Sequence, residues 1–206
     1  FYVYGFDAGA EVDTIAPQIE YFYINHDGFD DGDVVNESPM IIAQISDNVG
    51  INLSTAGVGH QMTLRLDGEK SYNDVSLYYT PTVSEIPSGV INYPIENLPD
   101  GKHEIRLKVW DTSGNSAAKT LTLEVKNGAV PNLFDVYTDA NPAYTEANFF
   151  IKHDRPDAMA TVTIEVYNLM GSLVWSSTKT ARSDMFVSSP INWNLCDNAG
   201  RRVNRG

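Results

Sequence analysis

Cysteine, basic side chains and long apolar runs are all scarce in this sequence. Cys196 is the single cysteine among 206 residues, which excludes an internal disulfide framework and a zinc site built from several cysteines. No apolar run reaches the roughly 18–20 residues that a transmembrane helix needs, so we predict no such helix. Lysine and arginine total 14 against 27 aspartates and glutamates, and the net charge of −13 argues against a nucleic-acid partner.

The acidic charge is concentrated in the first 128 residues. Residues 1–128 carry a net charge of −12, whereas residues 129–206 carry −1. Residues 126–132, at the junction, include a glycine, a proline and two asparagines, a composition typical of a linker. We therefore predict one domain over 12–128 and another over 129–206.

Most periodic stretches alternate apolar and polar residues, as half-buried antiparallel strands do. The clearest example puts Ile105, Leu107 and Val109 on one face of a strand. In the first unit the pattern predicts strands over 18–24, 39–46, 60–67, 75–82, 88–94, 102–110 and 117–125. In the second unit it predicts strands over 133–137, 147–152, 161–167, 172–179 and 189–195. Short strands separated by turn residues favour an all-β fold of two tandem immunoglobulin-like β-sandwiches.

The strongest metal candidate in the sequence is the acidic loop, residues 27–33. Its carboxylates, from Asp27, Asp30, Asp31 and Asp33, are the hard oxygen ligands that calcium prefers. Aligned on Gly32, the loop lacks the third-position carboxylate and the twelfth-position glutamate of an EF-hand, which excludes an ordinary one. The alternative is a solvated connection between strands, the commoner role of such charge runs. For a second acidic stretch, 111–115, a hairpin turn is a better explanation than a cation site.

No arrangement in the sequence indicates catalysis. There is no Gly-x-Ser-x-Gly elbow and no phosphate-binding glycine loop, and the four histidines lack metal-ligand spacing. Cys196 ends a predicted strand, where we expect a small packed residue rather than a nucleophile. We therefore predict no catalytic residue, and no cofactor other than calcium at the acidic loop.

Tyrosines suggest one further role, a carbohydrate-binding face. The aromatic residues that would line it are Tyr21, Phe22, Tyr23, Tyr78, Tyr79 and Tyr93. At a spacing of two, however, aromatic residues more often divide between the sheet core and its outer face.

The order of motifs in the first unit resembles the region after the protease domain in PorU-type C-terminal-signal peptidases, the sortases of type IX secretion. The more specific motifs are Asp-x-x-Gly-Ile-Asn at 47–52 and Gly-x-Gly-His at 57–60. A tryptophan–aspartate hairpin, here Trp110-Asp111, is found more widely in bacterial Ig-like domains.

The second unit resembles the type IX C-terminal sorting domain and the related Ig-like domain of flagellar hook-cap proteins. The residues that carry this resemblance are Asn141-Pro142, 162–174, Trp193-Asn194 and 197–206. In that family the last motif continues into a tyrosine-containing strand and a basic tail. Neither follows here, so we expect this sandwich to lack its last strand.

The resemblance implies a non-catalytic role for this chain. In the family the activity belongs to a gingipain-like, caspase-related domain with a Cys/His pair, which would lie upstream of Phe1. The resemblance implies that residues 1–11 are the end of this preceding domain. The resemblance therefore implies a scaffold, docking and sorting region at the outer membrane or surface of a Gram-negative bacterium. Its partners would be outer-membrane components of the secretion machinery and the upstream protease domain.

Two alternatives from other functional classes stay open. One is an adhesive or glycan-binding Ig-like tandem of a bacterial surface protein. The other is a calcium-stabilised spacer.

Overall fold

The computed structural model describes residues 12–55, 59–72 and 74–203. The chain divides into two compact units, Phe1–Gly128 and Ala129–Gly206. The described residues form β-strands and a single 3₁₀ turn without any α-helix, which confirms the predicted all-β sandwich class. None of their helical segments is long and apolar enough to cross a membrane. Residues 1–11, predicted as the end of a preceding domain, lie outside the described residues.

The first unit is built from two sheets. Its strands are β1 (Gln18–Ile24), β2 (Val34–Val35), β3 (Met40–Ser46), β4 (Thr63–Leu66), β5 (Lys70–Tyr72), β6 (Tyr79–Thr82), β7 (Ser88–Pro94), β8 (Gly101–Trp110) and β9 (Ser116–Val125). One sheet has the order β1-β3-β7-β6 and the other has the order β2-β9-β8-β4-β5. The pairings are antiparallel except that of β2 with β9, which is parallel.

Alternating apolar side chains from both sheets form the core of the first unit. Ile41 and Ile45 of β3 are fully buried, as are Ile105, Leu107 and Val109 of β8. All five belong to one hydrophobic cluster. Burying each such side chain contributes about 1.5–3 kcal/mol, so this cluster holds the two sheets together as a sandwich.

The predicted strand over 75–82 is wrong in its first half. Residues Val75–Tyr78 form a 3₁₀ turn, and β6 begins only at Tyr79. A straight strand would turn Val75 and Leu77 to the same face. The turn instead buries Val75 completely and leaves Leu77 74% exposed. The strand expected over 60–67 is also shorter, and the short strands β2 and β5 were not predicted because neither is long enough to show a period.

The second unit also has two sheets. Its strands are β10 (Leu133–Thr138), β11 (Ala147–His153), β12 (Met159–Tyr167), β13 (Leu173–Arg182) and β14 (Ile191–Trp193). The sheet orders are β10-β11-β14 and β12-β13. Each predicted strand is present, although β14 is much shorter than the expected 189–195. The expected loss of a final strand stays a prediction, and residues 204–206 lie outside the described part.

The interior of the second unit is sparse in apolar side chains. Among its described residues, the buried apolar side chains are Ala147 and Ile191. Buried polar groups lie beside them: Ser188 Oγ accepts a 3.0 Å hydrogen bond from Ile151 N, and His153 Nε2 lies 2.8 Å from Ser183 Oγ. Hydrogen bonding is thus a large part of what orders this unit.

Candidate functional site

The acidic loop lies on the surface of the first unit, with all four of its carboxylates exposed. Asp33 Oδ2 accepts a 2.9 Å hydrogen bond from Asp30 N, which closes a turn. Asp31 Oδ1 accepts a hydrogen bond from Thr122 N of β9, and Gly32 N donates to Thr122 O at 2.9 Å. Of the four predicted calcium ligands, Asp33 thus closes the loop on itself and Asp31 fastens it to the sheet. Calcium at Asp27, Asp30, Asp31 and Asp33 stays a prediction.

A different set of carboxylates converges at one end of the first unit. We call Asp13, Asp47 and Asp111 the aspartate cluster. Each residue contributes one carboxylate oxygen, and these three oxygens lie within 4.8 Å of one another. Among the described residues, this is the group of three or more His, Cys, Asp or Glu side chains whose possible ligand atoms lie that close together. The elements that position them are the segment before β1, the end of β3 and the end of β8. Asp47 and Asp111 are buried, whereas Asp13 is half-buried.

Backbone donors fix the two buried carboxylates of the cluster. Asp47 Oδ1 accepts hydrogen bonds from Val49 N at 2.9 Å and from Gly50 N at 2.8 Å. Asp111 Oδ1 accepts from Ser113 N at 2.9 Å and from Asn115 N at 2.7 Å. Each aspartate thus organises its own turn with Oδ1. The second oxygen of Asp111 accepts a 2.7 Å hydrogen bond from the Asn115 amide, whereas the second oxygen of Asp47 has no hydrogen-bond partner.

The pKa of Asp111 is lowered by its hydrogen bonds. Burial opposes ionisation of this carboxyl, but the hydrogen bonds donated by the Asn115 side chain and by the backbone of residues 114–115 outweigh it. The Asn115 amide nitrogen also lies 3.4 Å from Asp13 Oδ2. Asn115 therefore bridges two members of the cluster.

Sequence reasoning considered the 111–115 turn as a cation site and preferred a plain hairpin, and it did not connect this turn with Asp47 or Asp13. The three aspartates are far apart in sequence, and β3 and β8 lie in different sheets. Their ends meet because the two sheets pack together, with a bridge between Ile51 and Asp111. The one usable signal was the repeated pattern of an aspartate followed three residues later by glycine, at 47–50 and 111–114.

A second candidate site is a basic cup on the exposed face of the five-stranded sheet. It has a volume of about 450 Å³ and is lined by Gly59, Gln61, Thr63, Arg65, Ser71, Arg106, Lys108 and Trp110. Arg65 and Arg106 are directly opposed across β4 and β8. Lys108 Nζ lies 4.1 Å from the centre of the Trp110 ring. The centres of the His60 and Trp110 rings are 4.2 Å apart. Three cations and two aromatic rings thus meet on an otherwise acidic unit.

The aromatic residues proposed for a sugar-binding face divide between the core and the outer side of the sheet, the commoner arrangement at a spacing of two. Tyr21 and Tyr23 stack at 5.2 Å and lie opposite Gln44 and Ile42, on the outer side of their sheet. Tyr79 instead packs against the core, together with Phe22. Tyr93 is also buried there. Strand register places these aromatic residues on opposite faces, so they cannot form one platform.

His103 has structural contacts at both of its ring nitrogens. Its Nδ1 lies 2.8 Å from Asp67 Oδ2, and its Nε2 lies 2.9 Å from Pro99 O. Burial opposes the charged ring, but the hydrogen bonds to Asp67 and Pro99 outweigh it and raise the pKa of His103. This pair links the β4–β5 turn to β8.

Cys196 is half-buried in the second unit, and its thiol approaches Asn194 O at 3.7 Å. His153, the histidine of the same unit, has one ring nitrogen near Ser183 Oγ, and the other accepts a hydrogen bond from Arg155 N. Burial lowers the pKa of His153. Both ring nitrogens of His153 therefore have contacts within the second unit, and the packing role of Cys196 stays a prediction.

Comparison with known proteins gives one informative result. No protein-family model matches the sequence, and no curated protein matches it either. The chain is similar to part of PorU. The similarity is to the crystal structure of dimeric latent PorU from Porphyromonas gingivalis, with a TM-score of 0.60 and 30% sequence identity. The match covers 99% of this chain and 19% of the PorU chain. It supports a PorU-like fold for this chain, which spans about a fifth of that protein.

Proposed function

We propose that this chain is the non-catalytic C-terminal region of a PorU-like cell-surface peptidase of type IX secretion, serving as its scaffold, docking and sorting region. The observation that carries the proposal is the similarity to PorU over 99% of the chain at 30% identity. The motif order in both units points the same way. The proposed partners are an upstream protease domain and outer-membrane components of the secretion machinery.

The β12–β13 hairpin of the second unit supports a docking role. Among the described residues these two strands pair only with each other in their sheet. Asn198 hydrogen-bonds to the outer edge of β13 at Val174 and Ser176, so the outer edge of β12 is the one that another strand could extend. At the tip of the hairpin, Leu169 is 102% exposed and Met170 is 88% exposed.

Local hydrogen bonds hold this tip in shape. Asn168 Oδ1 accepts hydrogen bonds from Met170 N and from Ser172 N, both at 3.0 Å. Gly171 has a φ of +77°, which allows the tight turn. An ordered turn that presents two apolar side chains loses little conformational entropy when a partner covers it.

The docking role can be tested in the source bacterium with a Leu169→Ser, Met170→Ser double variant of the native protein. We expect several-fold less of the protein in the outer-membrane fraction and more in the medium, because the apolar contact is lost. A matched control is Val83→Ser, which changes a fully exposed apolar residue of the first unit. Unchanged fractionation of the double variant would refute docking through this hairpin.

Binding of an acidic glycan is a second candidate function, and the basic cup favours it. Among the described residues, the ion pairs do not involve Arg65, Arg106 or Lys108. Opposed like charges on neighbouring strands destabilise a sheet, and a bound anion would relieve that repulsion. The Trp110 ring offers a surface on which a sugar could stack. A volume of about 450 Å³ suits a small oligosaccharide.

A glycan array that includes sulfated, phosphorylated and carboxylated sugars tests this second function. We expect binding of acidic glycans by the unaltered chain and its loss in an Arg106→Ala, Lys108→Ala variant. The control is Lys126→Ala, which removes a lysine already paired with Glu124 at 3.1 Å. Flat binding curves for the unaltered chain would eliminate this function.

A further inference from the structure

We propose that the aspartate cluster is a calcium site, in which Asp13, Asp47 and Asp111 supply carboxylate ligands and Asn115 supplies its amide oxygen. This site is distinct from the acidic loop and does not depend on the proposed function.

The first argument is electrostatic. The three carboxylates each place one oxygen within 4.8 Å of the corresponding oxygens of the other two. Asp47 is 4% exposed and Asp111 is 1% exposed, so water screens their repulsion poorly. The ion pairs of the described residues involve other carboxylates, so no lysine or arginine pair offsets this charge. A divalent cation between the three groups would supply the missing positive charge.

The second argument is an orphaned oxygen. Asp47 Oδ2 is buried and has no hydrogen-bond partner, although Oδ1 of the same carboxylate accepts two backbone hydrogen bonds. A buried, unpartnered carboxylate oxygen is costly, and native proteins rarely leave one without a partner. A metal ion bound to this oxygen would satisfy it.

The third argument concerns Asn115. Its amide nitrogen donates to Asp111 Oδ2 at 2.7 Å and to Asp13 O at 3.2 Å. The two ends of an asparagine amide have nearly the same shape, and a half-turn about the last side-chain bond exchanges them. That rotation would direct the amide oxygen to the same place and add a neutral ligand to the three carboxylates.

The donor set selects calcium among the common divalent ions. All of its atoms are hard oxygens, and no histidine or cysteine belongs to the cluster, which disfavours zinc. Calcium accepts irregular sets of about 6–8 oxygens, including water, whereas magnesium demands a near-regular octahedron. Half-buried Asp13 leaves one side of the site open, so that water can complete the coordination and the ion can enter.

The bound ion would join three separate parts of the first unit. It would tie the segment before β1 to the turn after β3 and to the β8–β9 hairpin. Without the ion, hydrogen bonds connect these parts: Asn48 Nδ2 donates to Asp13 Oδ1 at 3.0 Å, and Asn115 Nδ2 donates to Asp13 O at 3.2 Å. Calcium should therefore stabilise the first unit and order its first segment.

The test uses the full 206-residue chain, first stripped with EGTA and then titrated with CaCl₂ in a calorimeter. We expect binding of one calcium ion per chain. At about a hundredfold excess over the Kd, the unfolding temperature of the first unit should rise by about 5–10 °C. MgCl₂ at the same concentration should give a much smaller rise.

Asparagine variants identify the ligands without removing the structural hydrogen bonds. Asp47→Asn keeps an Oδ1 that can accept the Val49 and Gly50 bonds, so it should fold, and it should lose both calcium binding and the calcium-dependent temperature rise. In EGTA the same variant should be at least as stable as the unaltered chain, because it relieves repulsion. Asp13→Asn, on the open side of the site, should weaken calcium binding at least tenfold. If Asp47→Asn fails to fold, this second variant tests the ligand assignment instead.

The matched control is an Asp30→Asn, Asp33→Asn variant of the acidic loop, which should bind calcium like the unaltered chain. Two results would overturn the proposal. One is the absence of both binding heat and temperature rise in the unaltered chain. The other is binding that survives Asp47→Asn and Asp13→Asn but is lost in the acidic-loop variant, which would assign the ion to that loop.

Discussion

Replacing Leu107 by alanine is expected to unfold the first unit at lower denaturant concentration and leave the second unit unaffected. Leu107 is fully buried in β8, and its cross-strand partner Leu64 in β4 is fully buried as well. Both strands are held by neighbours on either side in the five-stranded sheet, so the cavity left by the side chain has little room to collapse.

The expected magnitude follows from this environment. Leucine-to-alanine changes in cores cost about 2–5 kcal/mol, and a site that cannot collapse falls in the upper part of that range. We expect about 3–4 kcal/mol here. With a slope of about 2 kcal/mol per molar urea, the midpoint for the first unit should fall by about 1.5–2 M.

Pulsed hydrogen exchange with mass spectrometry, carried out across a series of urea concentrations, measures the amide protection of peptides from each unit separately. In Leu107→Ala, we expect peptides of residues 12–128 to lose protection at lower urea while those of 129–203 keep their midpoint. Ile191→Ala, which alters a buried residue of β14, should give the mirror result. A common lowered midpoint for both units in either variant would refute the division into independently folding domains at residue 128.

Two further predictions concern single contacts in the first unit. In Gly89→Ala, the new methyl carbon would clash with Tyr79 Cζ and lie 2.6 Å from Thr80 O, so thermal melts should show a loss of about 1–3 kcal/mol. Gly28→Ala, whose nearest contact is a histidine ring at 3.3 Å, should be nearly neutral, and equal effects of the two changes would contradict this reasoning. The pKa of His103 is raised in the folded chain, so its pair with Asp67 should stabilise the first unit fully below about pH 6.5, the pKa of an unfolded histidine. This stabilisation should be lost as the pH rises through the folded pKa. His103→Gln should flatten this part of a curve of stability against pH, and an unchanged curve would contradict the assignment.

The strands could be predicted from the sequence because their side chains repeat every two residues. Ile105, Leu107 and Val109 face the core because alternation alone puts them on one side. Pairing between strands is different, since no local pattern reveals it. The sequence alone therefore could not decide whether Tyr21 and Tyr79 share a face, and the register places them on opposite ones.

The aspartate cluster shows the same limit for sites. Each of Asp47 and Asp111 has a local signature, an aspartate followed by a glycine in a turn after a strand, and each was interpretable alone as a turn. Their convergence with Asp13 depends on which strand ends meet in the sandwich. The dense carboxylates of the acidic loop gave the stronger sequence signal, although their side chains in part bond to their own backbone and to β9.

The most direct test of the proposed function is peptide mapping of the native polypeptide, isolated from the membranes of its source bacterium. We predict peptides upstream of Phe1 that contain a protease-like domain with a Cys/His pair. A native chain that begins near Phe1, or that carries a non-protease module upstream, would contradict the assignment to a PorU-like peptidase, and glycan binding would then become the leading function.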